Sequence, residues 1–393
     1  VSKSKILTRR TAIHLGLGIL ASVGSSCAKE QLTKQASQAQ TSDTQTQNFS
    51  VIGDAPLKER AAAKGLIYGA AARRMELKDK NFAASFIQDC GIITPSWEFR
   101  RRMLNPRPDS FNFTPADSMV QWAKAHSMLL RGHTLVYQKS MPQWFSQQVN
   151  RQNVEQLLVQ YIETVVGRYA GQMHSWDVVN ETIFPQGGGL YGMQNIDWLQ
   201  WLGLDFYDLV FRATAAADPK ALLVFNEDWL EPDTQEGEAK RVAVLKVLEK
   251  LKSQGTPIDA LGIQSHLWLK DQKPLNQQKI RNFLGEVANL GLKIMITELD
   301  VQDRHLPQDI TTRDRIVAQA YEDYLSAVLD EPAVIAVITW GLSDRYTWLA
   351  HPKRRANEDF SPRPLPLDQN LQRKPAWYAI ARAFDNAPKR PVI

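Results

Sequence analysis

Cysteine is almost missing from this chain. Cys27 and Cys90 are the only two, and neither belongs to a C-x-x-C or Cys-His ligand cluster, so a disulfide framework and a structural zinc site are both excluded. A Gly-rich phosphate turn is lacking as well: the first strand-like run continues as GAAARRMELK (69–78), which is not G-x-G-x-x-G. The apolar stretch AIHLGLGILASV (12–23) is twelve residues long, too short for a permanent membrane-spanning helix. A basic face is missing too. The formal charge is +5, but Lys3, Lys5, Arg9 and Arg10 supply four of those charges within residues 1–27, where there is no acid. The body is near neutral, which argues against nucleic acid as a partner. The chain has no internal repeat of fixed length.

With 44% apolar residues in 393, the chain can bury a large core. Residues 1–27 read as an export signal: a basic start, a short apolar run, then small residues up to Cys27. Thr8-Arg9-Arg10 resembles a twin-arginine signal. Gly24-Ser25-Ser26-Cys27 resembles a lipoprotein processing box with Gly where Leu is usual, which makes Cys27 a candidate for a lipid anchor. Residues 28–50 are Gln/Ser/Thr-rich with almost no large apolar side chain. Such a stretch cannot offset its ordering entropy and reads as a disordered tether.

Residues 51–393 alternate strand and helix signals. The apolar runs are LIYGAAA (66–72), GIITP (91–95), MLLRGHTLV (128–136), SWDVVNE (175–181), ALLVFNE (221–227), ALGIQSH (260–266), KIMITELD (293–300) and VIAVITWG (334–341). Between them lie amphipathic segments such as 153–169, with Val154, Leu157, Leu158, Tyr161, Ile162 and Val165 on one face. Strands alternating with helices mean a parallel sheet covered on both faces. Eight such units fit a single (β/α)8 TIM barrel; a doubly wound open sheet is the alternative.

Barrel chemistry lies at the C-terminal ends of the strands. Here those ends carry His133 running on to Tyr137-Gln138, Asn180-Glu181, Asn226-Glu227-Asp228-Trp229, Gln264-Ser265-His266, Glu298-Leu299-Asp300 and Trp340. Taken singly, His266 reads as a structural histidine and Trp340 as core. Together they describe an active-site rim. Glu181 and Glu298, 117 residues apart on two strands, form the pair a glycosidase needs: one acid and one nucleophile or base. Side chains alternate along a strand, so Asp300 shares the face of Glu298.

WDVVNE, ITELD, RGHTLV, GIQSH, WGLSDRYTWL and PLDQNLQRKPAWYAI resemble glycoside hydrolase family 10, the endo-1,4-β-xylanases, over about residues 56–388. The resemblance implies a β-1,4-xylan substrate, retention of anomeric configuration, and no metal or organic cofactor. It implies Glu181 as acid/base and Glu298 as nucleophile, with His266 against the nucleophile and Asp300 behind it. Asn180 matches the residue that bonds the 2-hydroxyl at the cleavage subsite. His133 and Gln264 match further sugar contacts, and Trp340 and Trp348 match the aromatic walls. Asn226, Glu227 and Asp228 also fall on a family motif and read as structural or loop-fixing.

The departures from the family cluster. Thr-Pro-Glu-Asn followed by Met-Lys-Trp becomes Thr94-Pro95-Ser96-Trp97-Glu98-Phe99-Arg100-Arg101, and Trp-His becomes Tyr137-Gln138. Trp97 and Arg100 thus replace the asparagine and lysine that, in the family, bind the sugar two sites before cleavage. The expected protein is an exported, monomeric retaining glycosidase acting on xylan or a close relative. Two alternatives stand beside it: the same barrel on another polysaccharide, or an envelope carbohydrate-binding protein without turnover.

Overall fold

The computed structural model describes residues 49–187, 192–269, 275–351 and 360–390. The export signal read over residues 1–27, with Cys27, lies outside them, as does the tether up to residue 48. Phe49 already belongs to the body: it is buried in the core, with the Arg382 guanidinium carbon 5.8 Å from its ring centre.

All eight apolar runs form strands: β1 (Ile67–Ala72), β2 (Ile92–Pro95), β3 (Leu129–Val136), β4 (Ser175–Asn180), β5 (Leu222–Glu227), β6 (Ala260–Ile263), β8 (Lys293–Gln302) and β9 (Val334–Thr339). Each pairs in parallel with its neighbours, and pairings β1–β9 and β6–β8 complete the circuit. The sheet is therefore a closed eight-stranded barrel, which rules out the open doubly wound alternative.

The run at 260–266 is not one continuous strand. After Ile263 the chain turns through Ser265, whose φ is +62°, and resumes as a short ninth strand, β7 (His266–Trp268), beside the far end of β8. The turn swings His266 out of the barrel wall and sets it opposite Asp300.

Burial on both faces explains the near-continuous apolar strands. The helix Val154–Arg168 buries Val154, Leu158, Tyr161, Ile162, Val165 and Val166. A close approach decides one strand residue. A Cβ on Gly132 of β3 would lie 2.0 Å from Cε3 of the fully buried Trp176, so only glycine lets that indole lie across the strand. The C-terminal helix Pro375–Asn386 seals the seam between the first and last units: Trp377 Nε1 donates to Asp89 at 3.1 Å, and Phe384 packs on Tyr68.

Candidate active site

Glu181 follows the last residue of β4 in a left-handed conformation, φ +53°. For a non-glycine residue this costs on the order of 1–3 kcal/mol and persists only when its surroundings over-determine it. They do so here. The Glu181 N–H donates to the Asn226 carbonyl at 3.0 Å. The next two N–H groups, of Thr182 and Ile183, donate to the buried Glu227 carboxylate at 2.7 and 3.0 Å. Glu227 in turn faces Lys240 at 2.9 Å. Burial works against the charge on Lys240, but Glu227 and Asp228 outweigh it and raise the pKa of the ammonium. Glu227 and Asp228 thus act as the loop-fixing pair their position in the sequence indicates.

Glu298 lies within β8, buried, its N–H on the Gln264 carbonyl at 3.0 Å. Two side chains converge on its carboxylate. Asn226 Nδ2 donates to Oε1 at 2.9 Å, and His266 Nε2 stands 3.4 Å from Oε2. His266 Nδ1 meets Asp300 Oδ1 at 2.9 Å, and Trp348 Nε1 donates to the other Asp300 oxygen at 2.6 Å. Burial works against a charged imidazole at His266, yet Asp300 and Glu298 outweigh it and hold its pKa well above the usual histidine value. The imidazolium therefore has a carboxylate on each ring nitrogen.

The two glutamates share one amide network. Asn226 Nδ2 also donates to Asn180 Oδ1 at 2.6 Å. Gln264 Nε2 reaches both Asn180 Oδ1 and Glu181 Oε1 at 3.3 Å. Thr297 Oγ1 donates to Asn226 Oδ1 at 2.7 Å, which fixes the orientation of that amide. On its outer side Glu181 accepts Tyr137 O–H at 2.9 Å and Lys139 Nζ at 2.5 Å. Burial first, then the charges of Glu181 and Glu298, push the Tyr137 hydroxyl upward, so it stays a donor.

The remaining residues singled out in the sequence lie at these strand ends and on the loops that follow them. His133 is buried, with Nδ1 2.8 Å from Asp177, whose other oxygen pairs with the buried Arg131. Trp340 meets His133 edge-on at 5.2 Å, and Trp348 lies 5.0 Å from His266. Gln138, at the family's histidine position, turns away and accepts from Trp198 Nε1 at 3.1 Å. Trp97 and Arg100, both half-buried, stand on the loop after β2, the Arg100 guanidinium carbon 5.2 Å from the indole centre. Burial lowers the Arg100 pKa, opposed by Tyr137 and by the charge of Glu298.

Three participants escape a reading of the sequence. Asn226, read there as loop-fixing, is the amide that joins Asn180 to Glu298. It reaches across β6 because a Cβ on Gly262 would lie 2.3 Å from its Oδ1. Lys139, two-thirds exposed, pairs with Glu181 although a loop lysine normally signals a solvated surface. Asp177, hidden in the middle of WDVVNE, anchors His133. The glycine of GIQSH beside the asparagine of VFNE was the available signal for the first of these. Among the described residues, no group of three or more His, Cys, Asp or Glu is placed to hold a metal ion.

Comparison with known proteins gives concordant matches. A family model for glycosyl hydrolase family 10 matches residues 56–383. The thermostable celloxylanase of Thermoclostridium stercorarium is 33% identical over 305 residues, covering 70% of this chain and 74% of its own. Endo-1,4-beta-xylanase C of Paenibacillus barcinonensis is 29% identical over 361 residues; these cover 86% of this chain, but the chain spans only 32% of that protein's length. Among solved structures, native xylanase 10B from Thermotoga maritima superposes with a TM-score of 0.75 at 30% identity, covering 84% of this chain and 98% of its own.

Proposed function

The chain belongs to glycosyl hydrolase family 10, and on that premise we propose that it is a retaining endo-1,4-β-xylanase. In the first step Glu181 gives its proton to the leaving glycosidic oxygen while a Glu298 oxygen bonds to the anomeric carbon and the C–O bond breaks. In the second, water attacks the glycosyl ester, Glu181 takes its proton, and Glu298 leaves. The observation that carries this reading is the amide bridge: Asn226 bonds Asn180 and Glu298 together, and Gln264 bonds Asn180 and Glu181. Such a bridge holds two carboxylates on separate strands in one fixed relation, as displacement on opposite sides of one sugar carbon demands. By resemblance to the family, Asn180 is the group that meets the 2-hydroxyl, a contact that strengthens in the transition state.

The substrate reading is finer than the chemistry. Trp340 and Trp348 are the aromatic surfaces against which the apolar faces of sugar rings pack. Tyr137, Trp97 and Arg100 favour a second reading, the same reaction on a relative of xylan. A protein that only binds carbohydrate has no need of the donors gathered on Glu298. Release of reducing ends from a panel of xylans, glucans and mannans tests the proposal. Release from xylan is expected; release from glucan or mannan alone moves the substrate, and release from none removes the enzyme. Export remains part of the proposal on residues 1–27 alone, and mass spectrometry of membrane fractions for a lipid adduct on Cys27 tests the anchor.

A further inference from the structure

On the loop after β2, three arginines surround one indole. The guanidinium carbons of Arg102, Arg100 and Arg73 lie 4.7, 5.2 and 5.7 Å from the Trp97 ring centre. Each distance suits a cation–π contact, but such contacts do not neutralise the charges they gather on one small surface. Glu76 meets Arg73 at 3.6 Å, and Glu98 accepts the Arg74 backbone N–H at 2.8 Å. Among the described residues no carboxylate lies within 4.0 Å of Arg100 or Arg102 in an ion pair. Moreover, Nε of both side chains is buried and has no hydrogen-bond partner. Buried polar nitrogens are nearly always bonded. Two such nitrogens, on cations that share one indole, leave the pair short of an anion.

The middle residue of the same run turns the other way, although its own buried Nε also lacks a partner. Arg101 is buried, donates to the Leu157 carbonyl at 3.0 Å and stacks 4.2 Å from the Tyr161 ring centre. Arg100 and Arg102 are therefore not spare copies of a core residue. Arg100 also lies within electrostatic reach of the Glu298 carboxylate.

We propose that Arg100, Arg102 and Arg73, gathered on Trp97, form a subsite for an anionic sugar on the glycone side of the scissile bond. The inference rests on the glycosidase reading of Glu181 and Glu298 for the direction of the chain. Its ligand is a sugar carrying a carboxylate or a sulfate ester, either of which a guanidinium grips through paired N–H donors. The indole supplies the flat face on which the ring of that sugar lies.

Calorimetric titration of the full chain with three xylooligosaccharides of equal backbone length tests this: one neutral, one uronate-substituted and one carrying a sulfate ester. At least one acidic ligand is expected to bind tenfold or more tightly than the neutral one at low ionic strength. That margin should shrink in about 1 M salt, where charges are screened beyond roughly 3 Å. Tight binding of the uronate alone identifies a carboxylate reader; of the sulfate ester alone, a sulfate reader; of both, a reader of charge. Arg102→Gln should collapse the margin to less than threefold, and Arg102→Lys should keep part of it, with melting temperature recorded for each variant to show that it is folded. Equal binding of all three ligands, or a margin that survives Arg102→Gln, would overturn the proposal. Reducing-end release by the same preparation separates the two claims. Hydrolysis of xylan without an anionic margin removes the subsite and leaves the enzyme. A margin without hydrolysis of any xylan removes the xylanase and leaves the anion site.

Discussion

On the floor of the cleft, Glu298 takes an amide from Asn226 and an imidazolium from His266, and each of those donors is itself fixed by Thr297 or Asp300. On the rim after β2, Arg100 and Arg102 keep buried Nε atoms with no partner at all. Both regions sit at the C-terminal ends of strands in one barrel, so the fold alone does not account for the contrast. Bond-making at a single carbon needs charges held in place before the substrate arrives. Reading a polysaccharide needs groups whose last partner is the substrate itself. A floor that is complete and a rim that is incomplete are what those two tasks require.

The largest effect should come from the floor. Glu298→Ala is expected to lower turnover on every substrate by about 10⁴-fold or more, because no covalent intermediate can form. Glu181→Ala should spare aryl glycosides whose leaving group needs no proton, and added azide should restore turnover. Equal loss in both variants on such substrates would mean the two roles are wrongly assigned.

Next in size is the bridge. Asn226→Ala removes the amide between Asn180 and Glu298, and kcat should fall about 10²–10³-fold, the cost typical of one preorganised donor. Gly262→Ala should act in the same direction with Asn226 intact, since the new Cβ would meet its Oδ1 at 2.3 Å. If Gly262→Ala retained full kcat with an unchanged melting temperature, the close approach would not govern the bridge.

On the rim the sign should reverse. Trp97→Asn with Arg100→Lys is expected to raise kcat/KM on linear neutral xylan by about threefold to tenfold, as one or two sugar hydrogen bonds of about 0.5–1.5 kcal/mol each return. Substrates too short to reach the loop after β2 should gain less. No gain, or equal gain on short and long substrates, would detach these residues from glycone recognition.

The smallest expected effect is on stability. Because the folded pKa of His266 is raised, its contribution is fully present below the ordinary histidine value of about 6.5 and is lost as pH rises through the folded value. Wild type should therefore melt above His266→Gln by a margin that is widest in mildly acidic buffer and narrows as the solution becomes alkaline. A gap that widened with pH would mean the imidazole is neutral in the fold.

The barrel was legible in the sequence because each strand is a nearly continuous apolar run buried on both faces, and six of the eight end in polar or aromatic residues where that run stops. For the same reason Glu181, Glu298, Asn180 and Gln264 were readable as one rim before any geometry. Three-dimensional detail was not. The reach of Asn226 depends on a missing Cβ in the neighbouring strand, a relation across 36 residues of chain that no local pattern carries. Nothing in the run Arg100-Arg101-Arg102 separates its members, yet Arg101 turns into the core against Tyr161 while its neighbours turn to Trp97. The break at Ser265 was hidden because ALGIQSH, an apolar run with a polar tail, follows the same pattern as the strands that do end in their polar residues. Lys139 shows the converse, an ordinary exposed lysine that acquires a role only from its position beside Glu181.

Proton NMR of the first product released from linear xylan tests the central claim most directly. With Glu298 bonding to the anomeric carbon and water then displacing it, the β-anomer should appear first and the α-anomer only as the sugar mutarotates. An α-anomer present from the first spectrum would mean single displacement, and Glu298 would then not be the nucleophile.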